Sequence, residues 1–291
     1  MRFGVAFANT GPLAEGPTAK VCLQAMEAAG FDSVWAVEHV LVPADYESTY
    51  PYARNGRMPG GESVAIPDPL IWLAYAAAVT KNLLLGTGIL ILPQRNPAIT
   101  AKEVATLDRL SGGRLRLGIG VGWLEEEFDA LGVPFVGRGA RTDAYVSAMR
   151  QLWSGEEVDL DDGYNRWERA VSLPTPTNGT VPIVVGGHTD VAARRAGRLG
   201  DGFFPGKGSP ERVRELVKIV RDTAEEHGRN PDEIEITAGT AALGGDDPIG
   251  AVEEMASIGV SRLVVPPLAF DTDSAAEAYG AFGERIISKA S

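Results

Sequence analysis

At 291 residues, 44% hydrophobic and 23% charged, the chain can bury a full core and has the composition of an ordinary globular protein. A formal net charge of −12 and a pI near 4.8 exclude a nucleic-acid surface, which is built from clustered Lys and Arg. No apolar segment approaches the roughly 20 residues that span a bilayer. The N-terminal MRFGVAFANTG lacks a signal peptide's apolar region, and the single cysteine, Cys22, rules out an internal disulfide and points to a reducing cytoplasm.

The first strand candidate is RFGVAFA (2–8). A helix opens at Gly16-Pro17, carries Cys22 as core packing and stops at Gly30. The second strand, SVWAVEH (33–39), closes on Glu38 and His39. The chain has only three histidines, and His39 at a strand end reads in two ways. It is either an acid or base titrating near pH 6.5 or a rim histidine held by Glu38 or a backbone group. Neighbouring strand residues point to opposite faces, so one of the pair faces the helix layer unless the strand bulges. Residues 41–66, rich in Tyr, Pro and Gly, break the regular alternation and read as an insertion.

Asp68-Pro69 opens the next helix and leads to LLLGTGILIL (83–92). Gly86 and Gly88 weaken an otherwise strong strand, which signals a bulge, a close-lying flat ligand or relief of crowding. Asn96-Pro97 opens a further helix, followed by LRLGIGVG (115–122). Its alternating Gly118, Gly120 and Gly122 leave a smooth wall with Trp123 at the rim, and a planar ring could lie against it. Glu125, Glu126 and Glu127 read as a solvated first helical turn favoured by the helix dipole. A second insertion, 155–180, contains a hairpin turning at Asp162-Gly163.

The fifth strand, PIVVGG (182–187), runs straight into a helix capped by Thr189. The glycine pair Gly186-Gly187 leaves backbone amides bare at that seam, which suits a phosphate with His188 as an added donor; the alternative is a plain glycine turn. The remaining strands are GFFPG (202–206), IEITAGT (234–240) and RLVVPP (262–267). Ser209-Pro210 and Asp247-Pro248 start helices between them, and Gly200 and Gly259 end helices. Eight parallel strand–helix units predict a single α/β domain over 1–291, a (β/α)8 TIM barrel with 41–66 and 155–180 inserted at the C-terminal rim.

The chain resembles the luciferase-like monooxygenase superfamily and, within it, the oxidoreductases that use the deazaflavin coenzyme F420. The resemblance is carried by RFGVAF, AAGFDSVWAVEHV (28–40), the run from LLLGTGILIL to GWLEEEF (83–128), the helix at 141–153 and VVGGHTDVAARRAGRLGDGFFP (184–205). It implies a bulge with a non-prolyl cis peptide at Gly88-Ile89 behind the deazaflavin ring, and a phosphate cradle at Gly186, Gly187, His188 and Thr189. It further implies His39 at the reacting centre, Glu38 near the ring's polar edge, and a small-molecule substrate. Gly122 and Trp123 fall at the ring wall, and homodimers are common among similar enzymes. Trp123 stands where the sugar-phosphate dehydrogenase branch has a glutamate, which argues against a glucose-phosphate substrate.

A deazaflavin moves two electrons as hydride, so the protein must stack the substrate, orient it and manage one proton. Arg54, Arg57 and Lys207 are rim cations within reach of an anionic cofactor tail, or simply surface charges. Three rival readings keep the barrel: an FMN-dependent monooxygenase, a Schiff-base aldolase using Lys207, and a non-catalytic flavin carrier.

Overall fold

The computed structural model describes residues 1–206 and 208–290; Lys207, the lysine of the aldolase reading, lies outside them. The strands in chain order are β1 Arg2–Ala6, β2 Ser33–Ala36, β3 Leu84–Thr87, β4 Leu90–Ile91, β5 Leu115–Gly120, β6 Val158–Asp161, β7 Arg166–Ala170, β8 Ile183–Gly186, β9 Gly202–Phe204, β10 Glu235–Gly239 and β11 Arg262–Val265. The helices are α1 Gly16–Ala28, α2 Pro69–Val79, α3 Pro97–Ser111, α4 Glu125–Ala130, α5 Arg138–Leu152, α6 Asp190–Leu199, α7 Pro210–Glu226, α8 Pro248–Ile258 and α9 Ala275–Arg285.

All but β6 and β7 form one parallel sheet in the order β3-β2-β1-β11-β10-β9-β8-β5-β4, and β3 pairs again with β5 to close it. β3 and β4 are two halves of one broken strand, so the sheet is an eight-strand barrel of the kind the alternation predicts. The register is tight around the ring, with Val5 beside Val34 and Val265, and Leu117 beside Ile183.

Helix starts follow the proline signals closely. Asp68, Asn96, Ser209 and Asp247 each accept backbone amides of the first turn as caps, whereas Glu15 before Gly16-Pro17 makes no side-chain cap. Helix ends divide. Gly30 and Gly259 sit in the left-handed region at φ +89° and +99°, but Gly200 is extended at φ −85°. Gly200 serves by size instead, because a side chain there would press on the Gly202 carbonyl oxygen.

The large apolar core lies between strands and helices, while the barrel interior holds a small cluster of Ala6, Trp35, Val184, Val264 and Phe204. The floor of the barrel is ionic. Arg262 is fully buried beneath Trp35 and donates to Asp32 at 2.9 Å and Glu235 at 3.1 Å. Losing either carboxylate would leave a buried guanidinium underpaired.

The two insertions take different positions. β6 and β7 form the hairpin expected at 155–180, with Gly163 at φ +81° in its turn. Residues 173–177 then run down the flank of α3, where Lys102 and Arg109 donate to the carbonyls of Leu173 and Thr175, and the Thr177 amide donates to Asp108. That path leads toward the N-terminal end of the barrel. Of the two insertions, both expected at the C-terminal rim, the 41–66 segment is the one that returns over the mouth, and no helix among the described residues is long and apolar enough to cross a membrane.

The glycines of β5 make a direct test of this packing. A methyl group at Gly118 would overlap the Thr87 carbonyl oxygen, a backbone atom that cannot swing aside. Gly118→Ala is therefore expected to destabilise by about 1–3 kcal/mol, the usual range for overpacking, read as a lower midpoint in urea unfolding.

Candidate active site

The mouth is built around the break in the third strand. Gly88–Ile89 is a cis peptide between β3 and β4 and half-buried where its neighbours are fully buried. The Ile89 side chain lies over Gly120 and Gly186, since a Cβ on either glycine would collide with it. The Thr87 carbonyl fills the space above Gly118, and the Thr87 hydroxyl donates to the Gly118 carbonyl at 2.6 Å. The expectation of a bare glycine wall for a flat ring is therefore corrected: the bulged strand fills that wall from within. Gly122, at φ +80°, is likewise closed in by Phe128 and Ile91.

Glu38 secures the bulge. Its carboxylate accepts the Ile91 amide at 2.5 Å and the Arg95 guanidinium at 2.8 Å, and Arg95 continues to Asp68 at 2.6 Å. Glu38 is buried with both oxygens engaged, so it acts behind the third strand.

β2 ends at Ala36, so His39 stands in the loop three residues beyond the strand it was expected to close. Asn9 explains the early end: its side chain brackets Val37, accepting that residue's amide and donating to its carbonyl, both at 2.9 Å. His39 Nδ1 lies 2.9 Å from Glu127 Oε2. Glu127 also accepts the amides of Val40 at 2.7 Å and Leu41 at 3.4 Å, and it is fully buried. With Nδ1 donating to the carboxylate, Nε2 is left as the ring's free base.

This corrects the solvated-turn reading for two of the three glutamates, Glu125 alone being exposed. Glu127 orients His39, and Glu126 accepts the amides of Glu47 at 2.6 Å and Ser48 at 2.9 Å. Burial pushes the Glu126 carboxyl up, but the Ser48 hydroxyl and the amides of Glu126, Ser48 and Glu47 outweigh it and hold it down to about 2. The Ser48 hydroxyl accepts the Glu125 amide at 3.1 Å. One helical turn thus clamps the start of the insertion. The sequence signal available was the spacing of Glu127 and Phe128 on α4's inner face, masked by the run of like charges.

The clamped segment carries aromatic rings across the mouth. Centroids step from His39 to Trp123 at 5.6 Å, Trp123 to Tyr50 at 5.1 Å, Tyr50 to Tyr52 at 5.3 Å and Tyr52 to His188 at 5.1 Å, all edge-to-face. Tyr46 joins Trp123 from the side at 5.4 Å, under the Arg57 guanidinium, which donates to the Tyr46 carbonyl. Trp123, expected at the rim, is the hub of this arch. Burial, then the neighbouring Tyr52 and Tyr46, push the Tyr50 phenol up to about 12, so it stays protonated. Phe7 adds an exposed ring at the end of β1, in the left-handed region at φ +56°.

At the far end of the arch lies the glycine seam. Gly187 is at φ +130° with its amide donating to the Phe204 carbonyl, and the Thr189 hydroxyl caps α6 by accepting the Ala192 amide at 3.2 Å. The first-turn amides beyond them have no partner within the helix. Arg212 reaches the same helix start through Asp190 at 2.6 Å. Among the described residues no group of three or more metal-ligating side chains converges.

The profile of the luciferase-like monooxygenase family matches residues 1–286. The chain belongs to that family. An uncharacterized protein of Mycobacterium tuberculosis is 34% identical to this luciferase-like chain over 237 residues, 81% of it and 80% of the relative. The F420-dependent glucose-6-phosphate dehydrogenase of Mycolicibacterium fortuitum is 34% identical over 219 residues, covering 72% of this chain and 59% of the relative. An F420-dependent secondary alcohol dehydrogenase solved with an F420-acetone adduct shares the fold, with TM-score 0.79, 20% identity and coverage of 99% and 98%.

The clamp gives this luciferase-like chain a distinctive acid response. Glu126 titrates near 2 when folded against an ordinary 4.5, so its contribution is complete above about 4.5 and lost as pH falls toward 2. Amide protection factors at Glu47 and Ser48 are expected to decline across that window in the native protein. Glu126→Ala should show the low values already at pH 7.

Proposed function

We propose that this chain is an oxidoreductase that holds coenzyme F420 in the barrel mouth and transfers hydride between it and a small organic substrate, with His39 moving the accompanying proton. The observation that carries this reading is the His39–Glu127 pair at one edge of the mouth, set beside the Gly88–Ile89 break and opposite the glycine seam of α6. Support from outside the chain comes from relatives whose names specify F420-dependent dehydrogenation.

The mouth suits a flat heterocycle with a phosphate. Ile89 offers an apolar surface and the first turn of α6 offers backbone amides; the Gly187 amide is already taken by the Phe204 carbonyl, and Arg212 is paired with Asp190 and Glu215. When bound, the deazaflavin supplies the two-electron chemistry. Glu127 fixes the His39 ring so that Nε2 accepts or returns a proton, and the arch excludes water from that nitrogen. Glu38 is assigned to holding the bulge through the Ile91 amide.

Two companion expectations belong to the same reading. The homodimer rests on the resemblance alone, being common among similar enzymes. A cytoplasmic setting rests on the lone buried Cys22.

Titration with F420 and FMN side by side tests the cofactor: saturable binding of F420 is expected, and binding of FMN alone with oxygen-dependent turnover would transfer the chain to flavin oxygenation. His39→Ala is expected to cut turnover by roughly 10²–10⁴ with cofactor Kd nearly unchanged, the range for general acid–base help. Glu127→Gln should lower kcat less than His39→Ala with cofactor Kd nearly unchanged, because the ring loses its fixed tautomer but keeps its place.

A further inference from the structure

We infer that the aromatic arch of the 41–66 segment is the substrate-selecting wall, and that it takes an uncharged, flat, apolar molecule such as an aryl ketone, enone or alcohol. The inference rests on the oxidoreductase reading for what becomes of the molecule, and on the arch alone for what binds.

Three observations converge on it. Every ring contact from His39 to His188 is edge-to-face, with interplanar angles from 62° to 82°, so the rings do not stack shut on one another. Tyr52 is 38% exposed and Tyr50 half-buried, so both are reachable by a ligand.

The charges nearby select against an anion. Glu126 and Glu127 lie beneath the His39 end, with Glu126 held ionised by its amide donors. The Arg57 guanidinium is turned onto the Tyr46 ring and carbonyl, and Arg138 is stacked 3.6 Å over Phe135 while donating to the Gly122 carbonyl. These two guanidinium groups stay charged, but their donors are spent on loop carbonyls and their faces on aromatic rings. The tyrosine hydroxyls stay protonated, Tyr50 at about 12 and Tyr52 raised by burial, so they can donate to a carbonyl oxygen without adding charge.

Tyr50 decides the selection because it touches both Trp123 and Tyr52, and its removal opens the middle of the arch. The test is isothermal titration of the full chain, with and without F420, using benzalacetone, its 4-carboxylate twin and glucose 6-phosphate. Benzalacetone is expected to bind at least tenfold more tightly than the carboxylate, and glucose 6-phosphate not to bind at millimolar concentration. Tyr50→Ala should weaken benzalacetone about tenfold with F420 Kd within twofold of native, whereas Tyr50→Phe, which keeps the ring and the fold, should stay within threefold of native.

Equal or tighter binding of the carboxylate, or a Tyr50→Ala protein as tight as native, overturns the inference. If F420 binds and benzalacetone does not, the inference falls and the redox reading stands. If benzalacetone binds selectively and F420 does not, the redox reading falls and the apolar wall stands.

Discussion

The organisation of the mouth depends on one buried carboxylate. Glu127 faces His39 and the amides of Val40 and Leu41 at the same time, so a single side chain sets the imidazole and the path of the chain into the insertion. No water reaches it to replace a lost partner, which makes each of those bonds costly to leave unmade. Its position at the start of α4 also places negative charge where the helix dipole favours it. Glu126 repeats the arrangement one residue earlier with Glu47 and Ser48, and the two together convert a flexible, tyrosine-rich loop into a fixed wall. The imidazole's orientation and the loop's course thus share one foundation.

The other half of the mouth is set by the third strand. The residues displaced by its break would collide with side chains on β5 and β8, and glycine at 118, 120 and 186 removes those side chains. The result is a tight fit of Ile89 and the Thr87 carbonyl into space that three missing Cβ atoms provide. Glu38 and Arg95 lock the bulge from behind through the Ile91 amide. The glycine pattern is therefore a packing device for one displaced strand, and the mouth surface is a consequence of that packing.

Much of the barrel was legible in the sequence because its signals are local. Strand runs, proline starts after Asp68, Asn96, Ser209 and Asp247, and the Thr189 cap need only short-range chemistry. The resemblance located the cis peptide at Gly88–Ile89, which composition and spacing would not have distinguished from an ordinary bulge. What stayed hidden required knowing which side chains meet across long separations. Glu127 is 88 residues from His39, and nothing in a run of three glutamates says which one turns inward. The alternating glycines read as a bare wall for the same reason, since their occupants, Thr87, Ile89, Ile91 and Phe128, come from other parts of the chain. Tyr50 and Tyr52 looked like loop composition until Trp123 and His188 were seen on either side of them.

The two ends of the arch differ electrically, and that difference bears on how a ligand is oriented. The His39 end rests on Glu126 and Glu127, while the His188 end meets the start of α6 with Arg212 close by. With a net charge of −12 the whole-protein field opposes any anion, so an anionic group is admitted only where local dipoles overcome that field, within about a helical turn of α6. An anion at the His39 end would instead face the Glu126 and Glu127 carboxylates, and burial at that end leaves little solvent to screen the repulsion.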